Sequence, residues 1–360
     1  MRVVSVVGAR PQFVKLAPVA HAMAVAGVEH VIIHTGQHYD PMLSDVFFTD
    51  LGIPAPDVHL GVGSGGHGAQ TGAMLAALDE ALPPLSADWV LVYGDTNSTL
   101  AAALAAVKLH IPVAHLEAGL RSFNRAMPEE INRVLTDHAA DLLLTPTAVG
   151  AEHLAAEGLA GSTVVVGDVM TDVLLQVRDR VSGSPSPVME ELSLAEGSYS
   201  LATIHRAENT DDAERLEAVL DSLARVDHPV VILAHPRLVA KCAEHGLALE
   251  SRGSLLIHPP LAYPDLIASA LHARGVITDS GGLQKEAFLL RVPCTTVRPQ
   301  TEWVETVELG WNRLVEPGEA LVEAASRPRP TEPREADAHP YGDGHAAERV
   351  VAELTAHLPG

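Results

Sequence analysis

Positive charge is scarce in this sequence. Lysine occurs only at Lys15, Lys108, Lys241 and Lys285, and with the arginines gives 24 basic groups against 46 acidic ones in 360 residues. The formal net charge of −22 excludes the basic surface that nucleic acid or an anionic membrane requires. An anionic small molecule would have to meet positive charge gathered locally, so a lysine inside a motif carries weight. Aromatics are 4% of residues while hydrophobics reach 47%, which makes any core aliphatic. Two cysteines, Cys242 and Cys294, cannot form a disulfide framework or a Cys-based metal site. Cys-x-x-Cys, His-Glu-x-x-His and paired Asp residues two apart are all missing, so no metal is expected. No apolar run reaches the ~18 residues of a membrane span. The opening run Met1–Gly8 turns at once into Ala-Arg-Pro and reads as a first strand rather than a secretory signal. A cytoplasmic, reduced protein is expected.

What is abundant is alternation. Short apolar runs occur at Val3–Val7, Val31–His34, Trp89–Tyr93, Val113–Leu116, Leu142–Thr145 and Val164–Val166. They resume at Leu201–Ile204, Val230–Ala234, Leu255–Ile257, Val276–Thr278 and Thr295–Val297. Continuous runs of this length suit strands buried on both faces of a parallel sheet. Helical spacing fills the gaps, as in Thr96–Leu109 and Ala213–Val226. The pattern predicts doubly wound α/β sheets. At this length two domains are expected. The Pro/Gly/Ser stretch Ser182–Pro187 and a hinge near Gly167–Asp168 divide them at about residue 170. Residues 1–169 then form a first Rossmann-like domain and 170–360 a second, with a last helix over about 344–358 packing back toward the first.

Several segments carry candidate chemistry. Gly61-Val-Gly-Ser-Gly-Gly66 matches G-x-G-x-x-G, but it follows the polar Pro56–Leu60, and no acidic residue ends the next strand at the expected offset. It reads as a Gly-rich loop, and no nicotinamide cofactor is expected. Gly8-Ala-Arg-Pro-Gln12 sits where the first strand meets its helix, with Pro11 suited to the first turn; Arg10 and Lys15 would add charge to an anion site there. Arg10 could equally pack its stem and salt-bridge. Asp279-Ser-Gly-Gly-Leu-Gln-Lys-Glu286 follows the run Val276–Thr278, and its small residues would let backbone amides approach a phosphate. Glu286, four residues after Gly282, returns to the same helix face and could accept bonds from ribose hydroxyls. The plain alternative is a helix start capped by Asp279. Asp95, Glu117, Glu129, Glu130 and His205 all lie at strand ends or loops, where α/β enzymes place their chemistry. Each alone has a structural reading: Asp95 as an N-cap, Glu129 against a helix dipole.

Taken together, Gly8-Ala-Arg-Pro-Gln-Phe-Val-Lys15, His34-Thr-Gly-Gln-His38, Val92-Tyr-Gly-Asp-Thr-Asn-Ser-Thr99 and His115-Leu-Glu-Ala-Gly-Leu-Arg121 resemble the non-hydrolysing UDP-N-acetylglucosamine 2-epimerases. So do Met127-Pro-Glu-Glu-Ile-Asn-Arg133, His205-Arg206, Thr278–Glu286 and Pro340-Tyr-Gly-Asp-Gly344. The resemblance runs in order over nearly the whole chain. It implies a GT-B-like fold, two Rossmann-like doubly wound domains facing a central cleft, with a UDP-sugar substrate in the cleft and a homodimer. It places the family's catalytic carboxylates on Asp95, Glu117 and Glu129, with His205 joining them as a protonated partner of the departing diphosphate. Nucleotide and diphosphate contacts fall on Arg10, His205, Ser280, Gly281, Gly282 and Glu286. Lys15, Arg133 and His235 match positions near the substrate. The implied reaction is elimination of UDP to 2-acetamidoglucal and re-addition on the other face of C2.

Two departures stand out. Relatives regulated by UDP-N-acetylglucosamine carry a Gln and an Arg where this chain has Asp40 and Ala73. Many relatives read Thr-Glu-Arg-Pro-Glu where this one has Thr301-Glu-Trp-Val-Glu305. That variant, with His205-Arg-Ala-Glu-Asn209, also resembles the branch acting on UDP-2,3-diacetamido-2,3-dideoxyglucuronate. A GT-B glycosyltransferase, a hydrolysing epimerase and a catalytically silent UDP-sugar binding protein are the competing readings.

Overall fold

The computed structural model describes residues 1–37, 53–333 and 339–358. It contains two compact units, Met1–Val173 with His339–Gly360, and Leu174–Ala338. The last segment, placed by sequence at the end of the second domain, is grouped with the first unit. The boundary falls inside the helix Val169–Val181.

The first unit is built on seven parallel strands, β1 (Arg2–Val7), β2 (Glu29–His34), β3 (Val58–His59), β4 (Trp89–Tyr93), β5 (Val113–Leu116), β6 (Leu142–Thr145) and β7 (Thr163–Val165). Their order is β3-β2-β1-β4-β5-β6-β7. The apolar runs are continuous because both faces are covered. Val3 and Val7 join Leu91 and Tyr93 in one core, while Val4 and Val6 join Val90 and Val92 in another. Side chains alternate across a strand, so neighbours in one run feed opposite layers. The helix Asn97–Lys108 buries five alanines in the second layer, which lets it lie close to the sheet. The terminal helix Ala346–Ala356 packs Val350, Val351 and Leu354 into the first layer. Its leading amides, of Ala346 and Ala347, donate to the Asp172 carboxylate at 3.1 and 2.7 Å, and the Trp89 indole N–H donates to the Leu354 carbonyl at 3.0 Å. These contacts are why the segment belongs to the first unit.

The second unit has six parallel strands, β8 (Ser200–Thr203), β9 (Val230–Leu233), β10 (Leu255–His258), β11 (Gly275–Thr278), β12 (Cys294–Thr296) and β13 (Asn312–Leu314), in the order β10-β9-β8-β11-β12-β13. Both orders reverse direction at one place, between β1 and β4 and between β8 and β11. In open parallel sheets the loops leaving the carboxyl ends at such a reversal form the binding crevice. Among the described residues no helix is long and apolar enough to cross a membrane.

Candidate active site

The reversal point of the first sheet gathers Gly8–Arg10 after β1, Gly94–Thr96 after β4 and Glu117 after β5. Gly8 is needed for packing: a Cβ there would lie 1.9 Å from the Thr35 hydroxyl and 2.4 Å from that of Ser98. Arg10 opens the helix Arg10–Val25; its side chain lies outside the described residues. The amides of Gly8 and Ala9 are not free for an anion, because the Gln12 side-chain oxygen accepts from both, at 2.8 and 3.0 Å.

Lys15, on the same helix, is directed instead at Glu117 and forms a close ion pair with it. Burial by itself would lower the Lys15 pKa, but the Glu117 carboxylate, with Asp95 and Asp168 behind it, holds the ammonium above its usual range. Glu117 has φ +71, a left-handed conformation that costs a non-glycine residue about 1–3 kcal/mol and persists where surrounding structure enforces it. Its amide donates to the Leu144 carbonyl at 3.1 Å, and Gly94 lies against its carboxylate. A Cβ at Gly94, itself at φ +62, would meet Glu117 Oε2 at 3.1 Å and Lys15 Nζ at 3.3 Å.

Asp95 does not cap the following helix; Thr96 does, accepting from the Thr99 amide. The Asp95 carboxylate pairs closely with Arg133, whose other nitrogen reaches Glu130 at 2.7 Å. Asn132 donates to the Asp95 carbonyl at 3.0 Å and to Asn97 at 3.1 Å. Asn132 and Arg133 sit on the helix Pro128–Ala139, whose first turn carries Glu129 and Glu130. The two glutamates divide in role. Glu130 is buried and accepts from the Ser122 amide and hydroxyl and the Phe123 amide, at 2.9, 2.9 and 3.0 Å, shaping the loop before the helix. Glu129 is exposed.

In the second unit His205 follows β8 and Asp279 follows β11. Asp279 is fully buried and does not cap the next helix. Its carboxylate accepts from the amides of His205 and Arg206 and from Asn209, at 3.0, 2.9 and 3.1 Å. It thereby fixes the turn that presents His205, whose ring lies 4.9 Å from that of His235. Burial and the neighbouring His205 lower the His235 pKa. Ser280 is the N-cap of the helix Gly281–Leu289 and no side chain caps it, in contrast to the Gln12-filled turn of the first unit. Unfilled helix-start amides attract anions. Glu286 accepts a bond from the Tyr263 hydroxyl at 2.9 Å, and burial raises its pKa. The variant segment Thr301–Glu305 meets the same helix: the Trp303 indole donates to the Gly281 carbonyl at 2.7 Å, and Lys285 lies 4.5 Å from the indole ring centre.

The structure thus brings Lys15 to Glu117 and Arg133 to Asp95, and places His205, His235, Ser280, Gly281 and Gly282 on loops and helix starts at the carboxyl edge of the second sheet, with Glu286 farther along the helix Gly281–Leu289. Among the described residues Glu129 bonds to neither Asp95 nor Glu117. Gly61–Gly66 is an exposed loop before the helix His67–Ala81, where Cβ atoms at Gly63, Gly65 and Gly66 would meet nothing within 4 Å. Ala73 is exposed on that helix; Asp40 and His38 lie outside the described residues. Gln12, Asn132 and Tyr263 were not predicted as site residues. The first two stand inside quoted motifs, yet only the fold shows which backbone atoms they meet.

A family model described as UDP-N-acetylglucosamine 2-epimerase matches residues 21–355. A UDP-N-acetylglucosamine 2-epimerase homolog of Methanococcus maripaludis is 44% identical over 98% of this chain and 99% of its own length. UDP-2,3-diacetamido-2,3-dideoxy-D-glucuronate 2-epimerase of Pseudomonas aeruginosa is also 44% identical, over 98% and 99%. The solved UDP-GlcNAc 2-epimerase of Methanocaldococcus jannaschii superposes with a TM-score of 0.85 at 38% identity, covering 99% of this chain and 100% of that one. The same protein in complex with UDP-GlcNAc and UDP gives 0.79 at 39% identity over 99% and 100%. With two parallel Rossmann-like sheets and a match of this extent, the chain belongs to the UDP-N-acetylglucosamine 2-epimerase family and is an epimerase of GT-B-like fold.

Proposed function

We propose that this epimerase interconverts UDP-N-acetylglucosamine and UDP-N-acetylmannosamine by eliminating UDP to 2-acetamidoglucal and adding it back. The observation that carries the reading is the set of ion pairs at the reversal point of the first sheet, Lys15 with Glu117 and Arg133 with Asp95. C2 of the sugar has no adjacent carbonyl to acidify its proton. Loss of that proton must therefore be coupled to departure of the C1 diphosphate, and return of a proton from the other face needs a second acid/base group. Asp95, Glu117 and Glu129 supply carboxylates in three different settings: paired with Arg133, paired with Lys15, and exposed. Groups held in different environments are suited to holding and releasing protons at different points of one reaction. Arg10, His205 and the uncapped helix start at Gly281 stabilise charge developing on the departing diphosphate, and Glu286 holds the ribose.

Proton NMR of UDP-N-acetylglucosamine with the enzyme in D₂O tests this. A new anomeric signal should appear, deuterium should enter at C2, and turnover should survive excess EDTA without added NAD. Full retention of the C2 proton, or loss of turnover on chelation, would refute the mechanism.

A second reading is favoured by the Thr301-Glu-Trp-Val-Glu305 segment, in which Trp303 bonds to the Gly281 carbonyl: the substrate is then UDP-2,3-diacetamido-2,3-dideoxyglucuronate. Comparison of kcat/KM for the two sugars decides between them.

The proposal extends to regulation. In relatives activated by UDP-N-acetylglucosamine, the resemblance assigns effector contacts to the Gln and Arg replaced here by Asp40 and Ala73. Loss of an Arg removes a fixed charge and a bidentate donor suited to diphosphate, and a carboxylate near the same phosphates repels them. Forward kinetics should be hyperbolic, and carefully purified UDP-N-acetylmannosamine should turn over without added UDP-N-acetylglucosamine. A lag abolished by a trace of UDP-N-acetylglucosamine would show that an effector site survives.

A further inference from the structure

His115 lies on β5, two residues before Glu117, and is completely buried together with Asp137. Its ring bonds at both nitrogens. Nε2 lies 2.7 Å from the carbonyl oxygen of Gly94, and Nδ1 lies 2.7 Å from Asp137 Oδ1. A backbone carbonyl only accepts, so Nε2 must carry hydrogen. An ionised carboxylate also only accepts, so Nδ1 carries hydrogen whenever Asp137 is charged. The surroundings of Asp137 support that state. Its Oδ2 accepts from Arg121 Nη1 at 2.6 Å and from the Gly119 amide at 3.2 Å. Burial pushes its pKa upward, but His115 and Arg121 outweigh burial and hold it below the ordinary value. Arg121 completes the group by a two-pronged pair with Glu157, both bonds 2.7 Å. Two cations, His115 and Arg121, thus face two anions, the buried Asp137 and the partly exposed Glu157, which His138 Nε2 also reaches at 3.1 Å. A buried charge is tolerated on these terms, paired and fully hydrogen-bonded.

The placement of the ring matters as much as its charge. Gly94 immediately precedes Asp95. Glu117 lies two residues beyond His115, just past the end of the same strand. Asp137 belongs to the helix Pro128–Ala139, whose first turn carries Glu129 and which holds Asp95 through Asn132 and Arg133. One imidazole therefore ties together the three segments that carry the three carboxylates.

We infer that His115 is a doubly protonated positioning residue, a buried imidazolium that fixes the relative placement of the Gly94–Asp95 turn, Glu117 and the Glu129 helix without touching substrate. The inference rests on the proposed acid/base roles of those carboxylates, but its central claim, the charge on the ring, can be read without any turnover. A glutamine at position 115 can serve Gly94 or Asp137 with a donor, but it cannot hold both at the fixed span of an imidazole. Misplacement of a reacting group by about 1 Å costs on the order of 10²-fold in rate. Asp137→Asn is a milder perturbation: the amide N–H₂ can donate to Nδ1, which then loses its hydrogen, while Nε2 keeps its bond to Gly94.

The experiment is ¹H–¹⁵N correlation of the histidine rings in the full-length, ¹⁵N-histidine-labelled enzyme near neutral pH, with the His115 signals identified by their loss in His115→Gln. Wild type should show two protonated-type ring nitrogens for His115, and Asp137→Asn should convert one to the unprotonated type. In kinetics, His115→Gln should lower kcat by about 10²-fold with KM changed by less than about threefold, and Asp137→Asn should lower kcat by less. An unprotonated-type nitrogen on His115 in wild type overturns the inference. So does a folded His115→Gln enzyme that keeps kcat within about threefold of wild type. If His115→Gln does not fold, the wild-type and Asp137→Asn spectra still decide, with His115 then identified as the ring that changes in Asp137→Asn. A wild-type enzyme that shows the imidazolium but leaves every candidate UDP-sugar unchanged would instead fault the proposed reaction.

Discussion

Asp95→Asn, Glu117→Gln and Glu129→Gln are each expected to lower kcat by about 10²–10⁴-fold, the usual effect of removing a positioned acid or base, or about 3–5 kcal/mol of barrier. UDP affinity, measured by titration calorimetry, should change far less, since none of the proposed ribose and diphosphate contacts, Arg10, His205, Ser280–Gly282 and Glu286, is altered. The three variants differ in what else they disturb. Glu129 is exposed, so Glu129→Gln should leave the melting temperature unchanged and gives the cleanest measure of chemistry. Glu117→Gln leaves Lys15 without its ion-pair partner, and Asp95→Asn removes one of the two carboxylates that Arg133 bridges. Each amide is nearly isosteric with the acid it replaces, so an inactive but well-folded variant reports on charge and proton transfer rather than shape. Retention of near-normal kcat by any one of them would assign that residue to structure.

The doubly wound plan was readable because burial on both faces leaves its mark in the sequence. Val3–Val7 and Trp89–Tyr93 are apolar at every position but Ser5, and each supplies both core layers. The same logic hid one edge of each sheet. β3 is only Val58–His59 and is partly exposed, while β13, Asn312–Leu314, presents a half-exposed face and a buried asparagine. Neither makes an apolar run, so neither was predicted. Strand ends pointed to Asp95, Glu117 and His205 because chemistry in such folds sits where strands stop. What surrounds those residues was not readable. The left-handed φ of Glu117 has no sequence signature in a non-glycine residue. Gln12 looked like part of an anion-binding turn, whereas its side chain occupies the amides that the anion would have used. Asp279 suggested a helix cap by position, and only the β8–β11 pairing shows why it faces the His205 turn instead. His115 and Asp137 are 22 residues apart in sequence, one on a strand and one on a helix. Their pairing is a product of tertiary structure that no local pattern encodes.

Arg121→Met is expected to give the largest loss of stability among substitutions around the site. The Arg121 side chain is almost fully buried between Asp137, also buried, and Glu157. Burial opposes its charge, yet bonds to Glu157 and Asp137 outweigh burial and raise its pKa. Methionine matches much of the stem volume but leaves the Asp137 carboxylate with His115 and the Gly119 amide alone. Removing one partner of a buried ion pair costs about 3–5 kcal/mol, because the remaining charge has lost its compensation. For a unit of this size each kcal/mol moves the melting temperature by about 2–4 °C, so a fall of about 10 °C is expected by calorimetry. Two controls separate charge from packing. Arg121→Lys keeps the charge but not the planar fork that serves Asp137 and Glu157 together, so its loss should be intermediate. Glu157→Gln removes the more exposed carboxylate and should cost only about 1 kcal/mol, as exposed pairs do. The cluster argument fails if Arg121→Met melts within about 2 °C of wild type, a shift of no more than about 1 kcal/mol. In that case the Asp137–His115 pair would be self-sufficient, and Arg121 would serve only to fill space beneath the loop that follows Glu117.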